Sequence, residues 1–361
     1  MIQSAKRSKK QEPPLRIGVV GAGMMGQHHL RVCSMLRGVE LTAVADINPS
    51  RAKHSAQQYN CLGFTQIEDM VDKVDAVIIA VPSSLHFEVG RFFLNHNIHC
   101  LIEKPLAITE AHCLELIALA DKKGLILLVG HIEHFNPAVQ QLSKILAEGH
   151  LVHAIEVQRM GGNNKRNLDV DVIMDLMIHD LEIVVSLLGS KVLDITAQGV
   201  SESRNGGVDY VSALLLFSSG AIANLTASRI TQNKVRKLSI TSDLGYITLD
   251  YSAQELLIYR QAKESVLTNS VGYVYDLAME RVFVRPVEPL IEEIQNFVHS
   301  ITVGTPLGVD GRQALAALRL VWQLQDQVAQ KRHRVIPAKI KAQAAKIVKA
   351  KAKAKIEEKV K

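Results

Sequence analysis

The chain lacks the features of a secreted, disulfide-stabilised or membrane-embedded protein. Its 361 residues include only four cysteines, Cys33, Cys61, Cys100 and Cys113, which are widely spaced and form no Cys-x-x-Cys pair. This pattern predicts reduced thiols in a cytoplasmic protein rather than a disulfide framework. The longest apolar runs, such as residues 125–129, have the length of a strand and fall far short of the roughly 20 residues that span a bilayer.

The N-terminus lacks the pattern of a signal peptide, and the body lacks positive charge. Residues 1–12 are polar and basic with no apolar region behind them, so we expect a cytoplasmic protein without membrane insertion. The net charge of +6 lies at the ends, because residues 337–361 carry +7 and residues 1–12 carry +3, which leaves −4 between them. An acidic body argues against a nucleic-acid partner. We interpret the lysine-rich tail as a solvated extension, with a weak contact to anionic lipid or nucleic acid as the alternative.

The first third of the chain alternates strand and helix patterns. A length of 361 residues favours two domains, and this alternation predicts a doubly wound parallel sheet, the Rossmann arrangement, for the first of them. The predicted strands are 15–20, 41–45, 76–81, 98–102 and 125–129, and the predicted helices between them are 50–59, 84–96 and 110–123.

A glycine-rich loop, GAGMMG, follows the first strand directly and opens a helix. Gly21 permits the tight turn, Gly23 lets the backbone approach a pyrophosphate, and Gly26 allows close helix–strand packing. Asp46, twenty residues beyond the last glycine, is placed to accept the ribose hydroxyls of NAD; NADP stays an alternative because Arg51 is near. The predicted cofactor residues of the loop are Gly21, Gly23, Met24, Met25 and Gly26.

Beyond Phe135 short strands dominate, which predicts a β-rich second domain whose sheet is covered on one side. The predicted strands are 153–159, 192–200, 208–217, 220–228, 235–241, 245–250 and 255–259, and two helices follow at 289–303 and 311–330. The predicted divisions are a basic N-terminus at 1–14, a dinucleotide-binding domain at 15–134, a second α/β domain at 135–336 and a Lys/Ala-rich tail at 337–361.

Residues 171–189 predict one helix that is apolar almost all round and carries a narrow polar stripe. The members of the stripe are Asp171, Asp175, His179, Glu182 and Ser186. Buried charge is costly unless it is paired, so the stripe is either a polar network or the wall of a cleft. Spacing alone leaves both interpretations open for Asp175 and His179, whereas position favours a helix-start role for Asp171 and structural roles for Glu182 and Ser186.

Two further segments follow strands of the first sheet at the edge where ligands of open parallel sheets bind. One is VPSSLH, which begins at Val81, and the other is EKP, which places Lys104 at the mouth of the cleft. The residues of these segments that we predict to contact the cofactor are Val81, Pro82, Ser83, His86, Glu103 and Lys104.

Together these motifs resemble the Gfo/Idh/MocA family of NAD(P)-dependent sugar and cyclitol dehydrogenases over residues 15–331. The resemblance implies a Rossmann domain followed by an α/β domain with a large open-faced, mostly antiparallel sheet that often mediates a homodimer or homotetramer. It implies that Lys104 hydrogen-bonds the reacting hydroxyl, that His179 is the general base, that Asp175 orients the site, and that the bond before Pro105 is cis. This chemistry is reasonable, because oxidation of an alcohol requires a hydride acceptor and a base for the hydroxyl proton.

The segment GHIEHFNP, residues 130–137, is similar to the branch that oxidises C3 of UDP-N-acetylglucosamine for amino-sugar and lipid A-type glycans, with a sugar aminotransferase as functional partner. The branch usually carries arginine where this chain has His134. His131 and His134 resemble a metal pair, but no further ligands cluster near them and the chemistry needs no metal, so we predict none. The predicted substrate-binding residues are His131, Asn136, Arg159, Asn163 and Arg166, the last three on the loop that enters the striped helix.

Three functions remain open from the sequence. The first is NAD-dependent oxidation of a UDP-sugar, with the hydride going to the nicotinamide. The second is oxidation of a free cyclitol or hexose by the same residues, as in a myo-inositol 2-dehydrogenase. The third is a regulator that binds NAD without catalysis; the presence of Lys104, Asp175 and His179 together argues against it.

Overall fold

The computed structural model describes residues 13–162, 170–201, 207–261 and 277–332. It contains a six-stranded sheet and a separate eight-stranded sheet, which confirms the predicted α/β class with a Rossmann domain followed by a β-rich domain. In the described ranges no helix is long and apolar enough to cross a membrane.

The first sheet is wholly parallel, with the strand order β3-β2-β1-β4-β5-β6. Its central strands, β1 and β4, are largely apolar and buried, as expected for a sheet between two helical layers. Its strands are β1 (Leu15–Val20), β2 (Val39–Ala45), β3 (Leu62–Phe64), β4 (Ala76–Ile79), β5 (His99–Glu103) and β6 (Leu127–Gly130). Its helices are α1 (Met24–Cys33), α2 (Pro49–Tyr59), α3 (His86–Asn95) and α4 (Glu110–Lys123).

The second sheet has the order β14-β13-β12-β11-β7-β10-β9-β8, and its pairs are antiparallel except for β10 with β7. Buried and exposed residues alternate along its strands, so one face is covered and the other is open, as predicted. The strands are β7 (Val152–Met160), β8 (Val192–Val200), β9 (Tyr210–Phe217), β10 (Ile222–Ser228), β11 (Val235–Ser242), β12 (Gly245–Asp250), β13 (Glu255–Gln261) and β14 (Leu277–Val282).

Four elements differ from the prediction. The sequence patterns missed β3 and β14, which are short edge strands, and α5 (Pro137–Leu146), which follows directly on a capping asparagine. The prediction of one helix over residues 171–189 is also wrong at the start of the segment. The segment begins with a π-helical turn, Ile173–Met177, and continues as α6 (Ile178–Leu188). Such turns are frequent at functional sites, and this one contains Asp175.

The two C-terminal helices, α7 (Pro289–Thr302) and α8 (Gly311–Arg332), pack on different parts of the molecule. The apolar face of α7, which includes Ile294 and Phe297, joins the cluster under α1 of the first domain. In contrast, α8 lies against α6 and β8 of the second domain and also contacts α4. The C-terminal helices thus connect the domains and fix the cleft between them.

Candidate active site

Two of the three glycines of the loop, Gly21 and Gly26, lie where the structure leaves no room for a side chain. Gly21 has φ +93°, and a Cβ there would lie 2.6 Å from the carbonyl oxygen of Ala80. A Cβ on Gly26 would lie only 1.8 Å from the carbonyl oxygen of Gly21, so α1 can pack this closely on the loop only without a side chain. A Cβ on Gly23 would meet nothing within 4 Å and would project into open space at the N-terminus of α1. That space is what a pyrophosphate bound by a helix N-terminus requires.

Asp46 follows β2 directly and is buried beside the glycine loop. Its Oδ2 accepts the N–H of Ala22 at 2.8 Å, and its Oδ1 accepts the N–H of Asn48 at 2.8 Å. The exposed guanidinium of Arg51 lies 3.0 Å from the same Oδ1. The carboxylate is therefore held at the position predicted for contact with the ribose, and the glycine loop and Asp46 together fit a bound NAD.

A cleft of about 520 Å³ continues from the glycine loop towards the second domain. It is lined by residues that follow β4 and β5 and by residues of the π-helical turn. The lining includes the predicted residues Met25, Val81, Pro82, Ser83, His86, Glu103, Lys104 and Asp175, with Ala80, Ser84, Pro105, Ile108, Val170 and Met174 beside them. Met24 lies outside this lining and is 61% exposed.

His86 connects the two segments that form this wall of the cleft. Its Nδ1 lies 2.7 Å from the carbonyl oxygen of Pro105, and its Nε2 lies 3.0 Å from that of Val81. Burial lowers the pKa of the imidazole, and hydrogen bonds to the two carbonyls oppose this effect. Sequence reasoning proposed a cofactor contact for His86; the geometry additionally makes it a brace between the two loops.

Lys104 and Asp175 bring the two domains together in the cleft. The Lys104 ammonium donates to the backbone carbonyl of Asp175 at 2.9 Å and lies 3.1 Å from its Oδ1. Both side chains keep 20% of their surface exposed, so they border the cleft rather than the interior. The bond between Lys104 and Pro105 is cis, as the family resemblance predicted.

His179 follows one turn after Asp175, at the start of α6. Its Nδ1 is buried and has no hydrogen-bond partner among the described residues. Burial lowers the pKa of this imidazole well below 6.5, and the positive charges of Lys104 and Arg159 lower it further. The ring is therefore neutral near pH 7, which is the state that a general base requires.

His131 lies beside His179, with 6.2 Å between the ring centroids and the rings nearly perpendicular. It is only 1% exposed, and neither of its ring nitrogens has a partner among the described residues. Burial lowers its pKa to about 4 although the carboxylate of Glu182 acts in the opposite direction. A second neutral histidine thus lies beside His179.

Arg159 does not lie on a loop, contrary to the sequence prediction; it lies within β7 and is almost fully buried. Its guanidinium donates to Asp180 at 2.7 to 3.0 Å and to Glu133 at 2.7 Å. Sequence reasoning missed both carboxylates, because Asp180 is off the polar stripe and Glu133 is 26 residues away from its partner. This cluster fixes the start of α6 against β7.

Other members of the predicted site have structural contacts. Asn136 caps α5 through its Oδ1, which accepts the N–H of Ala138, and its amide donates to the carbonyl of Tyr251. Asp171 accepts the N–H of Met174 at 2.9 Å, which confirms its predicted role at the helix start. Glu182 lies 2.9 Å from the Nδ1 of His134.

A buried acid–imidazole pair, Glu103 and His29, joins the end of β5 to α1 on the cofactor side of the cleft. His29 Nε2 lies 2.7 Å from Glu103 Oε1, and His29 is fully buried. Burial opposes the ionised form of Glu103, but the contact with His29 outweighs it and lowers the pKa of the carboxyl. Glu293 on α7 is also fully buried, and burial raises its pKa well above 4.5.

Two predicted substrate residues, Asn163 and Arg166, lie outside the described residues. Within the described part of the chain, no group of three or more His, Cys, Asp or Glu side chains is arranged to hold a metal ion.

Comparison with known proteins agrees with this geometry. Residues 15–131 match the oxidoreductase family with an NAD-binding Rossmann fold, and residues 140–248 match the GFO/IDH/MocA C-terminal domain. UDP-N-acetylglucosamine 3-dehydrogenase from Acidithiobacillus ferrooxidans is 33% identical over 306 residues, which cover 84% of this chain and 95% of that enzyme. Inositol 2-dehydrogenase from Rhizobium meliloti is 26% identical over 336 residues, which cover 88% of this chain and 98% of that enzyme.

A solved structure of the Acidithiobacillus ferrooxidans UDP-N-acetylglucosamine 3-dehydrogenase superimposes on this chain with a TM-score of 0.79 at 30% identity, covering 87% of this chain and 98% of that one. The match therefore extends across both domains and includes the cleft between them. The chain belongs to the Gfo/Idh/MocA family and is an NAD-dependent oxidoreductase of sugar hydroxyl groups.

Proposed function

We propose that this enzyme oxidises the C3 hydroxyl of UDP-N-acetylglucosamine to a ketone. The observation that carries the proposal is the ion pair of Lys104 and Asp175 in the cleft beside the glycine loop, with the neutral His179 one turn beyond Asp175 on the same segment. The choice of substrate is supported by the 33% identity to an enzyme named for this reaction over 84% of the chain.

Lys104 and His179 have different roles in the proposed reaction. When bound, NAD supplies the nicotinamide ring that accepts the hydride from the substrate carbon. The Lys104 ammonium, held by Asp175, stabilises the negative charge that develops on the reacting oxygen. His179 accepts the hydroxyl proton at Nε2, since its Nδ1 is enclosed by the protein.

The cofactor would be held by the glycine loop, by Asp46 and by the loops after β4 and β5. The phosphates fit the N-terminus of α1 at Gly23, and the ribose hydroxyls fit Asp46. Arg51 lies close enough to Asp46 for NADP to stay the alternative cofactor.

We further propose that the enzyme is cytoplasmic and forms a homodimer or homotetramer through the open face of its second sheet. This face exposes large apolar side chains, including Leu214, Leu216, Ile222 and Tyr246. A 3-keto nucleotide sugar is a substrate for transamination, so a sugar aminotransferase is the proposed functional partner.

A substrate panel tests the proposal. NADH formation should be measured with UDP-N-acetylglucosamine, UDP-glucose, free N-acetylglucosamine and myo-inositol, and the product should be analysed for a ketone at C3. The proposal predicts turnover of UDP-N-acetylglucosamine. Turnover of myo-inositol alone would replace it with the second candidate, which the 26% identity to inositol 2-dehydrogenase over 88% of the chain favours. Tight NAD binding without any turnover would instead indicate a regulator.

A further inference from the structure

Arg236 is a partly buried cation of the second sheet that no carboxylate contacts within the described residues. It lies on β11, where it pairs in register with Arg159 on β7. Its Nη1 donates to two backbone carbonyls, that of Met160 at 2.5 Å and that of Val235 at 2.8 Å. These contacts orient the guanidinium but do not neutralise its charge.

Arg159, which lies opposite Arg236 in the sheet, differs from it because carboxylates contact its guanidinium. Like charges directly opposite each other in a sheet are unfavourable. Asp180 and Glu133 make their close contacts with Arg159, and they act on Arg236 only over a longer distance. Asp175, the third acid near Arg236, contacts Lys104. Burial lowers the pKa of Arg236, and the positive charge of Arg159 lowers it further.

The position of Arg236 connects it to the site. Its Nη2 lies 4.0 Å from where a Cβ on Gly161 would be, at the start of the segment that leads from β7 into the striped helix. Its charge is among those that lower the pKa of His179. The guanidinium therefore lies close to the segment after β7 and near enough to His179 for their charges to interact.

We propose that Arg236 binds the diphosphate of a nucleoside-diphosphate sugar and so determines the preference for a nucleotide-linked sugar over a free one; this inference rests on the proposed function. A guanidinium offers a planar set of donors that matches phosphate oxygens, and a partly desolvated cation is stabilised by an anionic ligand. A diphosphate on C1 supplies this anion a few bonds from C3. A free cyclitol has no anion to offer.

The test compares Arg236→Met and Arg236→Lys with Lys237→Met. Lys237 is the next residue on β11 and is exposed on the open face of the sheet, so its replacement removes the same charge from the same strand away from the cleft. For each protein, kcat and KM for UDP-N-acetylglucosamine, the Kd of NAD, and competitive inhibition by UDP and by inorganic diphosphate should be measured.

We expect Arg236→Met to raise KM and to weaken inhibition by UDP and diphosphate about 10- to 100-fold, which is the range for a hydrogen bond to a charged group. The variant should leave the Kd of NAD unchanged and should reduce kcat much less than it raises KM. Arg236→Lys should give intermediate values of KM and of the inhibition constants, since it keeps the positive charge but lacks the planar set of guanidinium donors. If Arg236→Met does not fold, the Lys variant carries the test.

Two results would overturn the assignment: equal KM and inhibition in Arg236→Met and Lys237→Met, or a wild-type enzyme that binds neither UDP nor diphosphate. A wild-type enzyme that does not oxidise UDP-N-acetylglucosamine but binds UDP through Arg236 would refute the proposed reaction and support the assignment.

Discussion

The cofactor side and the substrate side of the cleft are built in different ways. At its phosphate and ribose end, the cofactor side depends on a single short loop and one acid, whose roles follow from backbone geometry at Gly21, Gly26 and Asp46. The substrate side is assembled from β6, β7, the π-helical turn, α6 and β11, and its side chains act through charge. On the cofactor side, binding should therefore be lost when a glycine gains a side-chain atom. On the substrate side, function should be lost when one member of a charged pair is removed.

The largest expected effect is on the substrate side. His179→Ala removes the proposed base and should lower kcat by about 10²- to 10⁴-fold. The Kd of NAD should stay unchanged, because the cofactor loops do not depend on this ring. Ser186→Ala, lower on the same stripe, is the matched control and should keep wild-type turnover. Loss of NAD binding in His179→Ala would show that the two sides are not separable.

The buried ion cluster should respond by unfolding rather than by a change in chemistry. Arg159→Met leaves Asp180 and Glu133 without their partner and should reduce the free energy of unfolding by about 3–5 kcal/mol, which denaturant titration measures. The double variant Arg159→Met/Asp180→Asn should lose less, because it no longer buries an uncompensated carboxylate. Additive losses in the double variant would contradict this account of the cluster.

The pH dependence of the free energy of unfolding tests whether His131, which lies beside His179, is neutral in the folded protein. The pKa of His131 is about 4 in the folded chain and near 6.5 when the chain is unfolded. Between these values the unfolded chain binds a proton that the folded chain does not, so stability falls as pH falls from 6.5 to 4, by about 3 kcal/mol.

Denaturant titrations across this pH range should show a smaller loss for His131→Asn than for the wild type. His150→Asn is the control, since His150 is only partly buried and lies beside Asp243. Equal pH slopes in wild type and His131→Asn would show that His131 is protonated in the folded protein.

On the cofactor side, Gly26→Ala and Gly23→Ala should differ in their effect on stability, because only the first substitution creates a steric clash within the protein. The Cβ on Gly26 would collide with the backbone of Gly21, so this variant should lose about 1–3 kcal/mol of stability as well as NAD affinity. The Cβ on Gly23 meets no protein atom, so its variant should keep the melting temperature of the wild type and lose only NAD affinity. Calorimetry with and without NAD distinguishes the two.

Local patterns were sufficient for much of the fold and for one side of the site. Short apolar runs that alternate with helix patterns predicted most strands of the first sheet and α4, short strands with tight turns predicted most of the second sheet, and the spacing from Gly26 to Asp46 predicted the cofactor loop. Edge strands such as β3 were missed because three residues carry too little pattern. The helix start was predicted wrongly because a π-helical turn at 173–177 has no apolar period of its own.

The sequence by itself determined the Rossmann domain and the glycine loop, because each depends on residues close together in the chain. The candidate set of Lys104, Asp175 and His179 came from the resemblance of its motifs to the family. Only the tertiary structure decided that Arg159 is neutralised while Arg236 is not, and that His131 lies against His179. These differences arise from partners 21 to 77 residues apart. Charge–charge energies depend on distance and burial in space, and neither quantity is written in local sequence.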